Sequence, residues 1–417
     1  MFIFLLPFGV AAFALAMPAT AQLAEPASPL TLPAALALAT QANPSLSAAR
    51  HEVQAQQGAL LQAAAHPNPS LSYEVTDPGR AARETVYLFT QPLEPGARRG
   101  ARIAVAGHGR DIASAELATQ QAELHADVLT AFHEVLIAQE RLRLAQDGAE
   151  LAGRGTLAAS RRVAAGKVSP LDATRAQLAQ AGAQLDAAQA ANALTSARKR
   201  LSALWANPAP RFESAQGEFE MLPPLPSAAA LENWRDMAPA LARARAELER
   251  RRAMSQLELA RRTPDVGISV GLKRSQEAGR SQAIVGLSVP LPLFDRNRGN
   301  VQEALSRTDK AVDELAAADI GLENELAQAV QDLAAARHSV DVLRQDILPG
   351  ARHAADAAAK GFEFGKQSFL DVLDAQRTLL QVRSQYLAAL SAGHRAAAAI
   401  ERILGHIAPS TEHREQP

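Results

Sequence analysis

Two hydrophobic periods alternate along this chain, and each occurs in two places. Apolar residues recur at spacings of four and three through Leu124, Val128, Ala131, Val135, Ala138, Leu142 and Ala145. The same spacing runs through Leu315, Asp319, Leu322, Leu326, Ala329, Leu333, Ala336, Val340, Leu343 and Ile347, with one acid in register. Heptad spacing predicts long helices supercoiled side by side. The stretch 101–165 would reach about 90 Å as one unbroken helix, longer than a compact globule uses. Elsewhere the period drops to two. Val266, Ile268, Val270 and Leu272 alternate with Gly267, Ser269, Gly271 and Lys273, and Ala283, Val285, Leu287 and Val289 with Ile284, Gly286, Ser288 and Pro290. Leu71, Tyr73 and Val75 alternate with Ser70, Ser72 and Glu74, and a less regular segment follows at Thr85–Thr90. These read as strands with one apolar face and one small or polar face, each of about 8–11 residues, the length of a tilted membrane strand.

The two halves share one plan. Residues 43–72 match 238–267: Pro44 answers Pro239, Leu46 Leu241, Arg50 Arg245, Glu52 Glu247 and Pro69 Pro264. Gly166-Lys167-x-Ser169-x-Leu171-Asp172 answers Gly365-Lys366-x-Ser368-x-Leu370-Asp371. Each half predicts a first helix (about 33–65 and about 228–262), a strand pair, a very long helix, and a returning helix (169–204 and 368–404). The expected organisation is a signal peptide over 1–21, a first repeat over 22–207, a Pro-rich linker over 208–227, a second repeat over 228–407 and a polar tail over 408–417. The signal peptide rests on the apolar run Phe2–Ala16 followed by Ala19-Thr20-Ala21, although no Lys or Arg precedes the run.

Composition narrows the classes. Charge is nearly balanced, 43 Lys+Arg against 44 Asp+Glu, which argues against a nucleic-acid partner. Aromatics are only 4% and much of the apolar content is alanine, which suits closely packed helices. The chain has no cysteine, which excludes thiolate metal sites, thiol catalysis, disulfides and a lipid-bearing N-terminal cysteine. Beyond the N-terminal run no stretch is apolar over the ~20 residues a membrane helix needs, so a membrane crossing would have to be made by strands. Four strands cannot sit in lipid with open edges, because edge backbone groups would lack partners. Three copies would close a twelve-stranded barrel, Val/Ile/Leu outward and Gly/Ser/Lys to the lumen, with the helices continuing as a tube.

Several local signatures carry a resemblance. Asn43-Pro44-x-Leu46 opens the first helix and Pro67-Asn68-Pro69 precedes the first strand. Pro290-Leu291-Pro292-Leu293-Phe294-Asp295-Arg296-Asn297-Arg298-Gly299-Asn300 joins the last strand to a helix, and Gly365-Lys366-x-Ser368-Phe369-Leu370-Asp371-Val372-Leu373-Asp374-Ala375-Gln376 forms a helical turn. In order and in duplicate, these resemble the outer membrane efflux protein family, the TolC-like ducts, and in particular its heavy-metal, CzcC-like branch. The resemblance implies a mainly α fold with a small β part: coiled-coil hairpins in a trimeric α-barrel above which four strands per chain enter a 12-stranded transmembrane β-barrel. It implies a homotrimer in outer-membrane lipid, a periplasmic adaptor and an inner-membrane pump of the resistance-nodulation-division (RND) kind, with divalent cobalt, zinc or cadmium as cargo. Drug efflux or type I secretion fits the same architecture. A periplasmic coiled-coil adaptor is the reading from another class, but such proteins carry one hairpin, not two. No catalytic triad, phosphate loop or carboxylate dyad stands outside the turn motif, so no enzyme activity or cofactor is expected.

The turn residues are the candidate site. Gly166 and Gly365, each followed by a lysine (Lys167, Lys366), permit tight reversals, and Ser169 and Ser368 are placed to cap the returning helices. Asp371 and Asp374 lie three apart on one helix face. By resemblance these turns form the closed periplasmic end, with the acids as a cation-selecting constriction. The alternative is that Asp371 only stabilises a helix N-terminus. Asp172 occupies the equivalent place in the first half, where Arg175 replaces the second acid and could pair with Asp371 or Asp374. The ten histidines, His133 among them, show no paired metal-ligand spacing and are expected to be solvated or to line the lumen. The basic runs Arg98–Arg102 and Arg250–Arg252 are expected to be solvated helix faces or loop ends.

Overall fold

The computed structural model describes residue 25, residues 29–79 and residues 82–405. The expected signal peptide and polar tail lie outside the described residues. The chain is mainly helical. A short strand β1 (Leu30–Thr31) leads into α1 (Leu32–Ala42) and α2 (Pro44–Ala64), then β2 (Ser70–Thr76), β3 (Glu84–Leu93), α3 (Arg98–Ala164) and α4 (Pro170–Ala203). After β4 (Ala215–Gln216) come α5 (Ala228–Arg235), α6 (Pro239–Ala260), β5 (Val266–Ser275) and β6 (Arg280–Ser288). The chain closes with α7 (Arg298–Val342), a π-helical turn (Leu343–Ile347), α8 (Leu348–Glu363) and α9 (Phe369–Leu404). The 67 residues of α3 span about 100 Å.

Two predicted continuous helices are broken and a third is distorted, each at a proline. The expected helix over 33–65 splits at Asn43, whose extended backbone (ψ 120°) ends α1. A residue before proline is pushed out of the helical region, and Pro44 then starts α2 at the one place where its missing N–H costs nothing. The Asn43 side chain accepts from Leu46 N at 2.9 Å and donates to the Leu204 carbonyl, turning the break into a cap pinned to the end of α4. The expected helix over 228–262 splits likewise between Arg235 and Pro239. The distortion falls in the heptad run through Ile347, where the helix continues through a π turn. Pro349 cannot bond back to its preceding turn, and the extra residue of the π turn absorbs the mismatch.

Helix α3 is the spine, packing on α2, α4, α6 and α9, while α7 packs on α6 and α9. One buried cluster joins Val128, Phe132 and Val135 of α3 to Leu201, Trp205 and Phe212; another joins Leu322, Leu326 and Leu333 of α7 to Leu241 and Ile400. The predicted strands pair as one antiparallel sheet in the order β2-β3-β5-β6, so β2 and β6 are its edges.

The basic runs are not merely solvated. Arg99 and Arg102 donate to the carbonyls of Ala63, Ala64 and Ala65, satisfying the last turn of α2, whose carbonyls have no intrahelical partner. Arg102 also pairs with Glu94. Arg250 and Arg251 share Glu247, and Arg252 pairs with Glu249.

Candidate functional site

Three regions concentrate chemistry: the sheet, a belt around the middle of the helices, and the far helical turns.

In the sheet, register gathers most large apolar side chains on one face, with Val86, Leu88 and Ile284 on the other. One cross-strand row is Leu71–Phe89–Val270–Val285 and the next is Tyr73–Tyr87–Leu272–Ala283. With Ile268 and Leu287 of the adjoining row, these rows build one apolar face whose large side chains are exposed, from 42% at Ile268 to 81% at Val285. The opposite face carries Ser72, Gly271 and Ser269, and an ion pair of 2.7 Å between Lys273 and Glu84. A contiguous apolar face of this kind marks contact with lipid or protein. Gly271 is needed for close approach: a Cβ there would lie 2.3 Å from the Tyr87 carbonyl oxygen. Among the described residues no helix is long and apolar enough to cross a membrane.

The belt is the Pro-rich segment between α4 and α5. It lies strapped across three helices. Gln139 of α3 exchanges two hydrogen bonds with the backbone of Ala215, at 3.0 and 2.7 Å. His394 of α9 donates from Nε2 to the Phe219 carbonyl at 2.7 Å. Arg337 of α7 donates to the carbonyls of Leu222 and Pro223. Phe212 is fully buried among α3 and α4 side chains.

Here the expectation of scattered, solvated or lumen-lining histidines fails for two of them, while His51, His66, His338 and His353 are exposed. His133 of α3 and His394 stack face to face, centroids 3.8 Å apart, and His394 is only 7% exposed. His133 donates from Nδ1 to Leu129 O at 2.8 Å. Burial, reinforced by the neighbouring imidazole, lowers the His133 pKa from 6.5 to about 4; burial lowers that of His394 as well. Both rings are therefore neutral at neutral pH. Linear spacing could not show this pair, because the partners come from opposite halves of the chain. The one available hint is that His133 falls within the buried band Leu124–Ala138. Among the described residues no group of three or more metal-ligating side chains converges.

At the far turns, Gly166 (φ 67°) and Gly365 (φ 72°) adopt the left-handed conformation. Lys167 N bonds to Arg162 O and Gly166 N to Val163 O; Lys366 N bonds to Gly361 O and Gly365 N to Phe362 O, the double closure that ends a helix on a left-handed residue. Ser169 accepts from Leu171 N. Ser368 accepts from Asp371 N while the Asp371 carboxylate accepts from Ser368 N and Oγ at 2.8 and 2.7 Å, a reciprocal capping box. Those bonds hold the Asp371 carboxyl below its ordinary pKa. Asp374 is exposed one turn further along. Arg175 lies 3.8 Å from Asp172 on its own helix, and it pairs with neither Asp371 nor Asp374 within the chain. A contact the sequence did not show links the two turns: the Arg162 guanidinium sits 3.8 Å over the Phe362 ring and donates to the Phe362 carbonyl.

This architecture has close counterparts. The model of the family described as "Outer membrane efflux protein" matches residues 35–207 and 230–406. The cobalt-zinc-cadmium resistance protein CzcC of Cupriavidus metallidurans is 45% identical over 81% of this chain and 81% of its own length. Among solved structures, CusC, described as forming a transmembrane channel, superposes with a TM-score of 0.78 over 89% of this chain and 91% of its own, at 17% identity. The outer-membrane channel OprN superposes with a TM-score of 0.75 over 90% of each chain, at 20% identity. With two matched stretches spanning most of its length, the same channel fold and a long-range relative at this identity, the chain belongs to the outer membrane efflux protein family.

Proposed function

We propose that three copies of this chain form a passive exit duct for divalent metal cations across the outer membrane. One observation carries the reading: a four-stranded sheet with two unpaired edges and one exposed apolar face. Edges and face are both satisfied if neighbouring copies pair β6 to β2 and close a twelve-stranded barrel (three times four) in lipid. The helices then continue as a tube into the periplasm, where the turns after α3 and α8 meet a periplasmic adaptor and, through it, an RND pump that supplies the energy. The duct itself does no catalysis. Cobalt, zinc and cadmium are the proposed cargo, supported by similarity to a resistance protein named for those metals. At the closed end Asp374 and Asp371 of each copy would make stacked acidic rings that hold cations, with Asp172 and Arg175 as a neutralised counterpart.

Deleting the gene from its host tests the cargo. Tolerance to cobalt, zinc and cadmium should fall and return on complementation. Unchanged metal tolerance with lost tolerance to organic drugs would transfer the duct to multidrug efflux.

A further inference from the structure

Phe294 is the most exposed of the large hydrophobic side chains among the described residues, at 99%. It ends a strap, 289–294, that follows β6 with apolar residues still at alternate positions through Leu293 and with every residue exposed. Val285, Leu287 and Val289 are followed by Leu291 and Leu293, 73% and 65% exposed. The backbone of this strap is poor in free donors. Pro290 and Pro292 have no N–H, and Leu293 N bonds to Leu291 O at 2.8 Å. A segment leaving a sheet inside lipid would otherwise carry a row of unsatisfied amides.

Charge follows directly. Asn297 donates to the Glu258 carbonyl and carboxylate, at 2.8 and 3.0 Å, and so seats the strap's end on the last turn of α6. That contact brings Arg296 and Arg298 beside the C-terminal end of α6, where Arg262 follows. All three are exposed, and none has an ion-pair partner among the described residues. Asp295 is occupied in accepting from Asn297 N. The strap lies at the helix-bearing end of the sheet, opposite the two hairpin turns, which is the periplasmic end if the helices enter the periplasm.

We propose that residues 289–298 are a phospholipid-docking strap: Leu291, Leu293 and Phe294 enter the acyl region of the periplasm-facing leaflet, and Arg262, Arg296 and Arg298 take the phosphates of its headgroups. The inference rests on the barrel reading above.

Tryptophan fluorescence in vesicles separates the two readings. Phe294→Trp and, as a control on the sheet face, Val285→Trp are reconstituted as full chains in phosphatidylcholine with brominated phospholipid. Both should be quenched beyond the background of Trp205 and Trp234. Quenching of Val285→Trp alone would overturn the strap and leave the barrel, placing Phe294 against a neighbouring copy or water. Quenching of neither would sink the barrel as well. At low mole fraction, brominated phosphatidylglycerol should quench Phe294→Trp roughly twofold more than brominated phosphatidylcholine, as anionic lipid gathers near exposed arginines. Adding Arg262→Gln, Arg296→Gln and Arg298→Gln should erase that difference. Equal quenching by the two lipids from the outset would overturn the headgroup contacts.

Discussion

The belt and the far turns hold helices together in opposite ways. At the belt, buried and half-buried side chains reach backbone carbonyls of an irregular segment and tie α3, α7 and α9 to it. Its ionisable pair is kept neutral by burial. At the turns the groups are exposed, and most bonds are local caps within one hairpin. A cation over a ring and one hydrogen bond join the two hairpins there. In the proposed tube this arrangement would give a fixed waist and a loosely joined end. Any widening would be expected at the end, because separating the turns breaks few buried contacts and strands few buried polar groups.

Phe212→Ala attacks the waist most severely. Removing a fully buried ring from between the belt and α3 should cost about 3–5 kcal/mol, read as a lowered midpoint in thermal or denaturant unfolding of the detergent-solubilised protein. A loss below about 1 kcal/mol would mean that the belt is a loose tether.

Acid should weaken the waist next. Because the folded-state pKa of His133 is about 4, below the ordinary 6.5, the unfolded chain binds more protons in that interval. The neutral pair therefore stabilises fully above about pH 6.5, and that contribution is lost as pH falls toward 4. The loss is on the order of 3 kcal/mol, and His133→Phe with His394→Phe should flatten the profile. A melting temperature that is as pH-dependent in the double variant as in the wild type would remove the histidines from this role.

The turns respond less. Gly365→Ala places a Cβ in a left-handed conformation and should cost about 1–2 kcal/mol, seen as faster amide exchange around 361–371 with the belt unaffected. Asp371→Ala with Asp374→Ala should weaken block of the channel by divalent cations in planar bilayers on the order of tenfold, about 1.4 kcal/mol. Asp172→Ala, whose partner Arg175 already offsets it, should shift block far less. Equal effects at the two turns would erase the proposed asymmetry. Arg162→Ala, the smallest, removes a contact worth about 0.5–1 kcal/mol and should raise the open fraction of single channels without changing the melting temperature measurably.

The sequence by itself determined the features that depend on near neighbours. Alternation of two placed Ile268, Val270 and Leu272 on one sheet face, because successive side chains in a strand point to opposite sides. Glycine and serine at 166–169 and 365–368 marked the reversals, because a left-handed closure and an N-cap involve only a few adjacent residues. Heptads marked the long helices. Tertiary structure alone decided the rest. The π turn before Pro349 interrupts a hydrophobic period that runs through it unchanged. The stacking of His133 on His394, the belt's hold on three helices and the Arg162–Phe362 contact depend on which helices lie side by side. Periodicity identifies the face a helix buries; which distant residue meets that face is set by packing, so a histidine on it can become a buried partner without any local mark.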